Sequence, residues 1–269
     1  MEGLFRRVMT AGLLLTGFVL ALFLAPESVW AALIAGAVGI AAYEWARLGQ
    51  FPFGLRLFYA LALGGMALLL PYIVDKDFSL LRNGLLVIAA LFWIAIAPLW
   101  LSLRWHGQRF FIRAAIGVVV LLPTWAALLY LRERGPWVLL MVLAVVWVAD
   151  TAAFFAGRRY GQHKLAPRIS PGKTREGVVG AVLALVLYAS AVSAAVVGLR
   201  IVGALLLAMA LLYFAVLGDL FESWIKRVSD MKDSGTLLPG HGGVLDRIDA
   251  LTAALPIAAG VLILAEYYA

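Results

Sequence analysis

The chain has 269 residues, of which 64% are hydrophobic and only 14% charged, and its mean hydropathy is +0.99. A water-soluble fold of this length cannot bury so much apolar surface. A soluble enzyme, a disordered chain and a secreted disulfide scaffold are all excluded, the last also because there is no cysteine. The formal charge of +7, from 22 Lys and Arg against 15 Asp and Glu, raises the question of nucleic acid, but basic loops of a polytopic membrane protein account for it.

A membrane-crossing helix needs about 20 mostly apolar residues. In chain order nine segments meet that need: Val8–Leu24, Val29–Tyr43, Leu57–Val74, Leu85–Leu103, Ile112–Leu131, Trp137–Ala156, Gly177–Leu199, Ile201–Trp224 and Ile248–Ala265. The first follows Arg6 and Arg7 as a signal peptide would. It has no small-residue cleavage site near Ala25-Pro26-Glu27, so it reads as an uncleaved anchor. The second is short, and Glu44 and Arg47 read as interfacial residues at its end. Only Arg200 separates the seventh from the eighth, which predicts a tight hairpin. The predicted fold is therefore an all-α polytopic integral membrane protein of about nine transmembrane helices. With the N-terminus in the cytosol, 17 of the 22 Lys and Arg fall on the cytosolic side, which supports that orientation.

Polar residues concentrate late in the chain. Residues 1–149, spans one to five and most of span six, read as an N-terminal transmembrane scaffold. Residues 150–269 read as a C-terminal catalytic transmembrane region with two cytosolic polar loops. The first loop carries Arg158, Arg159, Lys164 and Arg168, then Ser170-Pro171-Gly172-Lys173-Thr174-Arg175-Glu176-Gly177. Gly172-Lys173-Thr174 looks like the tail of a phosphate-binding P-loop, but that motif requires Gly at position 167, which is Pro. Cations, hydroxyls and glycines ahead of a helix still suit a polyphosphate, with Ser170, Lys173 and Thr174 as candidate contacts. Anchoring to anionic headgroups is the blander use of Arg158 and Arg159.

The second region is denser. Asp219, Glu222, Ser223 and Lys226 stand at i, i+3, i+4 and i+7, one face at the end of span eight. Arg227 and Lys232 follow. Asp246 and Asp249, with Arg247 between them, open span nine at i, i+3. Oxygen-only ligands select hard cations such as Mg²⁺, so Asp219, Asp246 and Asp249 are candidate metal ligands. Carboxylates this close to a bilayer are costly unless paired or functional. Asp230 has no such company and reads as solvated. His241, between Gly240 and Gly242-Gly243, could donate to a phosphate, and the glycines admit a ligand close to the backbone. One isolated His excludes a His-rich zinc site.

At these residues the sequence resembles the CDP-diacylglycerol synthase (phosphatidate cytidylyltransferase) family. Ser223, Lys226-Arg227, Lys232-Asp233, His241-Gly242-Gly243, Asp246-Arg247 and Asp249 match each fixed position of the family signature at its spacing. The Ser170–Gly177 run is similar to a second family feature. The likeness by motif covers the C-terminal half. It implies the reaction CTP + phosphatidic acid → CDP-diacylglycerol + pyrophosphate, dependent on Mg²⁺ with room for a second cation. It also implies a homodimer, a polar funnel open to the cytosol and a bacterial inner-membrane location. Under it, Asp219, Asp246, Asp249, Lys226 and Arg247 are the expected catalytic residues. Ser170, Lys173, Thr174, Ser223, Arg227, Lys232, His241, Gly242 and Gly243 are the expected substrate contacts. The residues agree with that chemistry: a phosphomonoester is largely dianionic at neutral pH and needs no general base, and no nucleophile–base pair is evident. A CTP-dependent polyprenol or phytol kinase would favour a base. A transporter would place ionisable residues near mid-membrane and show inverted repeats, neither of which is seen. No nucleic-acid partner is expected.

Overall fold

The structure is a computed structural model that describes residues 2–74, 78–106, 109–237 and 242–268. Among the described residues nine helices follow in order: α1 Glu2–Leu24, α2 Glu27–Leu48, α3 Phe53–Val74, α4 Phe78–Leu103, α5 Phe110–Glu133, α6 Pro136–Tyr160, α7 Arg175–Ala195, α8 Ile201–Val228 and α9 Leu245–Tyr268. Helices α2 to α9 are long and apolar enough to cross a membrane, and α1 carries the apolar stretch Leu15–Leu24. The protein is an all-α integral membrane protein. The one described departure is a small antiparallel hairpin, β1 Lys164–Ala166 and β2 Ser170–Thr174, in the connection between α6 and α7.

The second span is longer than the sequence suggested. It continues through Glu44 to Leu48, and Glu44 is 3% exposed rather than interfacial. The hairpin between α7 and α8 is looser than expected, since α7 ends at Ala195 and five residues lead into α8.

Helices α2, α5 and α9 form the packed interior, around Trp45, Trp125 and Tyr130. Helix α3 is largely uncovered, with Phe58, Leu61 and Ile73 facing outward as lipid-facing residues do. Helix α4 widens into a π turn at Phe92–Ile96. Pro98 explains its position: the proline ring clashes with the carbonyl four residues back, Ile94, in a regular helix, and the wider turn relieves that clash. The turn also delivers Phe92 and Trp93 to Phe221 of α8, with ring centroids 5.3 and 5.6 Å away. These edge-on contacts support α8 one residue before Glu222.

Pro256 poses the same problem in α9, because it has no N–H to donate to Thr252 O. The Thr124 hydroxyl of α5 stands in the gap, its one proton shared between Val120 O at 2.7 Å and Thr252 O at 3.2 Å. At the far end of the bundle Arg134 and Tyr130 both reach Glu266 Oε2, at 2.7 and 2.9 Å, and so tie α5 to α9.

Candidate active site

The two polar regions meet at one end of the bundle. Chain direction brings the end of α6, the hairpin, the end of α8 and the start of α9 together there. In the hairpin, Lys164 pairs with Thr174 and Ala166 with Ser170, so the Ser-Pro-Gly-Lys-Thr run is an extended strand, not a phosphate-wrapping loop. Thr174 ends it as the N-cap of α7: its Oγ1 accepts from Gly177 N at 3.1 Å. Expected at the substrate, this hydroxyl is buried against Gly157 and Gly161 and serves the hairpin's seat. The start of α7 is held further by Glu176, whose Oε1 lies 2.6 Å from His163 Nδ1.

Lys173 projects from β2 to α8, and its Nζ stands 2.6 Å from Asp219 Oδ2. Both side chains are about one-quarter exposed, at 23% and 27%, so the pair borders solvent. Ser223 Oγ donates to the other carboxylate oxygen of Asp219 at 3.2 Å. One turn on, Arg227 Nε donates to Ile169 O at 3.3 Å, a second tie between α8 and the hairpin. Ser170 is half-buried at the strand's start, and Lys232 and Arg247 are exposed beside the site.

Lys226 lies deeper. Its ammonium sits 2.8 Å from Asp246 Oδ1 and 3.3 Å from Glu222 Oε1, and all three side chains are 11% exposed or less. Asp246 also accepts from two backbone amides of the preceding loop, Ser234 N at 2.9 Å and Gly243 N at 2.8 Å. Gly242 takes the positive φ of +82° that turns the chain back for this, and a Cβ there would lie 2.6 Å from Asp246 Oδ2. His241 lies outside the described residues.

The acidic residues therefore separate differently from the expectation that Asp219, Asp246 and Asp249 converge. Asp246 turns toward its own loop and Lys226. Asp249 lies within electrostatic reach of Asp219 and Glu222. Gly218 permits this crossing of α8 and α9: a Cβ at that position would lie 2.6 Å from Asp249 O. Both carboxylate oxygens of Glu222 are buried and neither is in a well-aligned hydrogen bond, although Lys226 Nζ stands 3.3 Å from Oε1. Asp150 joins the field from α6, interacting with Lys173 and Asp219. In the sequence Asp150 only opens the first polar region, with nothing to pair it with Asp219.

This arrangement suits a hard divalent cation. Among the described residues no three acidic or histidine side chains form a closed cage. Mg²⁺ is commonly held by one or two carboxylates, with phosphate and water oxygens completing its shell. Asp219 and Asp249, which interact electrostatically, are the candidates for such a pair, and Glu222 lies buried behind them beside Lys226. The donors are all oxygen, as a hard cation requires.

The model of the Cytidylyltransferase family matches residues 5–265 of this chain. A phosphatidate cytidylyltransferase of Pseudomonas aeruginosa is 39% identical over 267 residues, covering 96% of each chain. That of Haemophilus influenzae is 34% identical, covering 93% of this chain and 96% of its own. That of Thermotoga maritima is 32% identical, covering 96% and 95%. With the motif residues gathered at one end of the bundle and the likeness running nearly end to end, the chain belongs to the cytidylyltransferase family.

Proposed function

We propose that this chain is a phosphatidate cytidylyltransferase, which converts CTP and phosphatidic acid into CDP-diacylglycerol and pyrophosphate for phospholipid synthesis. The observation that carries the reading is the Lys173–Asp219 pair. It joins a basic hairpin suited to phosphates to the helix turn just ahead of the Ser223–Asp249 motif, on helices that lie in a bilayer where the lipid substrate resides.

The reaction is a single displacement. A phosphatidate phosphate oxygen attacks the α-phosphorus of CTP, and the bond from that phosphorus to the β-phosphate bridging oxygen breaks. Pyrophosphate leaves with the electron pair. The attacking phosphate is already anionic at neutral pH, its second pKa being about 6, so no side chain need remove a proton. Alignment of two anions and neutralisation of the leaving group are what the protein must provide. Lys173 at the rim supplies positive charge where the triphosphate enters, and Arg247 and Lys232, both exposed, are further candidate phosphate contacts. Lys226 holds Asp246 and Glu222 in place. Asp219 and Asp249 are the residues that would hold Mg²⁺, whose contribution there is to neutralise phosphate charge.

A bacterial inner-membrane location, a cytosol-facing site and a homodimer belong to the same reading. The Lys and Arg asymmetry supports the orientation. Purified protein in detergent should release one pyrophosphate per CDP-lipid formed, and only when phosphatidate, CTP and Mg²⁺ are all present. Exchange of pyrophosphate into CTP without phosphatidate would point instead to a nucleotidyl-enzyme and overturn the single displacement.

A further inference from the structure

Glu44 lies in α2, 190 to 201 residues before its partners in the sequence and far from either polar loop in the chain. Its carboxylate is buried, yet each oxygen is engaged. Oε1 accepts from Val244 N at 3.1 Å. Oε2 accepts from Leu245 N at 2.8 Å and from Ser234 Oγ at 3.2 Å. Leu245 begins α9 and Val244 precedes it, so Glu44 supplies from a distant helix the acceptor that a helix N-terminus usually finds in its own cap residue. The surrounding chain is shaped to receive it: a Cβ at Gly235 or at Gly243 would overlap the Glu44 carboxylate.

The same turn of α2 grips the end of α8. Leu48 O accepts from Ser229 Oγ at 2.6 Å and from Arg113 Nη1 at 2.8 Å, and Trp45 Nε1 donates to Arg113 O at 2.8 Å. The C-terminal turn of α2 thus holds both ends of the 229–244 connection. The groups fixed this way are those that orient Asp246. Ser234 donates its N–H to Asp246 and its hydroxyl to Glu44, and Gly243 N binds Asp246 one residue before the first amide bound by Glu44.

We infer that Glu44 is a positioning residue for the nucleotidyl transfer: it sets the register of α9 against α8, and through Ser234 and Gly243 the orientation of Asp246 toward Lys226. It touches neither substrate. The inference rests on the cytidylyltransferase reading and assigns to the N-terminal half a part in the site beyond scaffolding. Because the contacts need a full carboxylate of this length, Glu44→Gln removes one acceptor and Glu44→Asp falls short of the loop.

The test compares wild type with Glu44→Gln, Glu44→Asp and Ser234→Ala, purified in detergent, each rate expressed per folded molecule from size-exclusion and tryptophan fluorescence. Tyr130→Phe, at the opposite end of the bundle, is the control. The expected result is a fall in kcat of at least tenfold in both Glu44 variants. KM for CTP should move less than threefold, and Ser234→Ala should show a smaller loss that does not add to that of Glu44→Gln. Backbone amide exchange at Ser234, Val244 and Leu245 should quicken at least tenfold in the Glu44 variants while the α5 amides stay protected. Tyr130→Phe should be unchanged in kcat. Wild-type kcat per folded molecule in Glu44→Gln, or lost kcat with unaltered loop exchange, would overturn the inference. If the Glu44 variants do not fold, wild-type kcat and exchange in folded Ser234→Ala would overturn it, and slowed turnover with faster exchange there would sustain it. A wild-type protein that forms no CDP-lipid would count against the proposed activity, whereas amide exchange reports on Glu44 independently of it.

Discussion

Replacing Lys226 by Met retains most of the side chain's length and removes its charge, and the consequence can be worked from the structure. The ammonium stands 2.8 Å from Asp246 Oδ1 and 3.3 Å from Glu222 Oε1, with side-chain exposures of 11%, 5% and 4%. At an effective dielectric of about 20 the gross attraction to the Asp246 carboxylate is about 6 kcal/mol. Desolvation cancels much of that in the intact cluster, so the cluster itself contributes little net stability. The variant is different, because it leaves two buried carboxylates facing each other with no cation between them. Breaking a buried pair from one side costs about 3–5 kcal/mol. A cost of that size lowers the thermal midpoint by on the order of 10 °C for a domain of this size class. The nine tryptophans supply the signal for melts in detergent. Glu222→Gln added to Lys226→Met should recover about 1–3 kcal/mol, because one of the stranded carboxyl groups is gone. If Lys226→Met melts within about 1 kcal/mol of wild type, or Glu222→Gln deepens its defect, the cluster is not held together as described.

Lys173→Ala should slow turnover by about 10²–10³, the loss expected for one preorganised charge contact, as measured by CDP-lipid formation at saturating CTP. Asp219→Asn and Asp249→Asn should raise the Mg²⁺ concentration needed for half-maximal rate. Chelation of divalent cations should stop the wild-type reaction, and an unchanged Mg²⁺ requirement in both variants would remove these carboxylates from the metal site. Cysteines placed at Gln162 or Thr236 of this cysteine-free chain, both exposed, should resist impermeant thiol reagents in intact cells and react in inverted vesicles. Thr124→Val should destabilise the protein by about 1 kcal/mol by withdrawing the donor opposite Pro256, with kcat per folded molecule unchanged.

The nine helices were legible because a span of about 20 apolar residues is a local, length-coded signal. Lys226, Asp219, Ser223 and Asp246 were legible too, since helical spacing places the first three on one face and the motif supplies the fourth. What spacing could not convey is where a carboxylate turns. Asp246 and Asp249 share a face by i, i+3 arithmetic, yet Ser234 N and Gly243 N draw Asp246 back to its loop and leave Asp249 to Asp219. Glu44 was hidden for a related reason. A Glu at the end of an apolar run reads as interfacial, and its partners lie about 200 residues on, a separation no local pattern encodes. The hairpin escaped notice because strands of three and five residues carry no periodicity.

The chemistry itself is tested most directly by following two labels of CTP in parallel. Purified protein is given phosphatidate, Mg²⁺ and CTP radiolabelled at either the α- or the γ-phosphate, and lipid and aqueous products are separated. Transfer of the α-phosphate label to the lipid, with the γ-phosphate label recovered only as pyrophosphate, is the predicted result. A γ-phosphate label in the lipid with CDP as the aqueous product would mean phosphoryl transfer, and would contradict the assignment of this site to cytidylyl transfer.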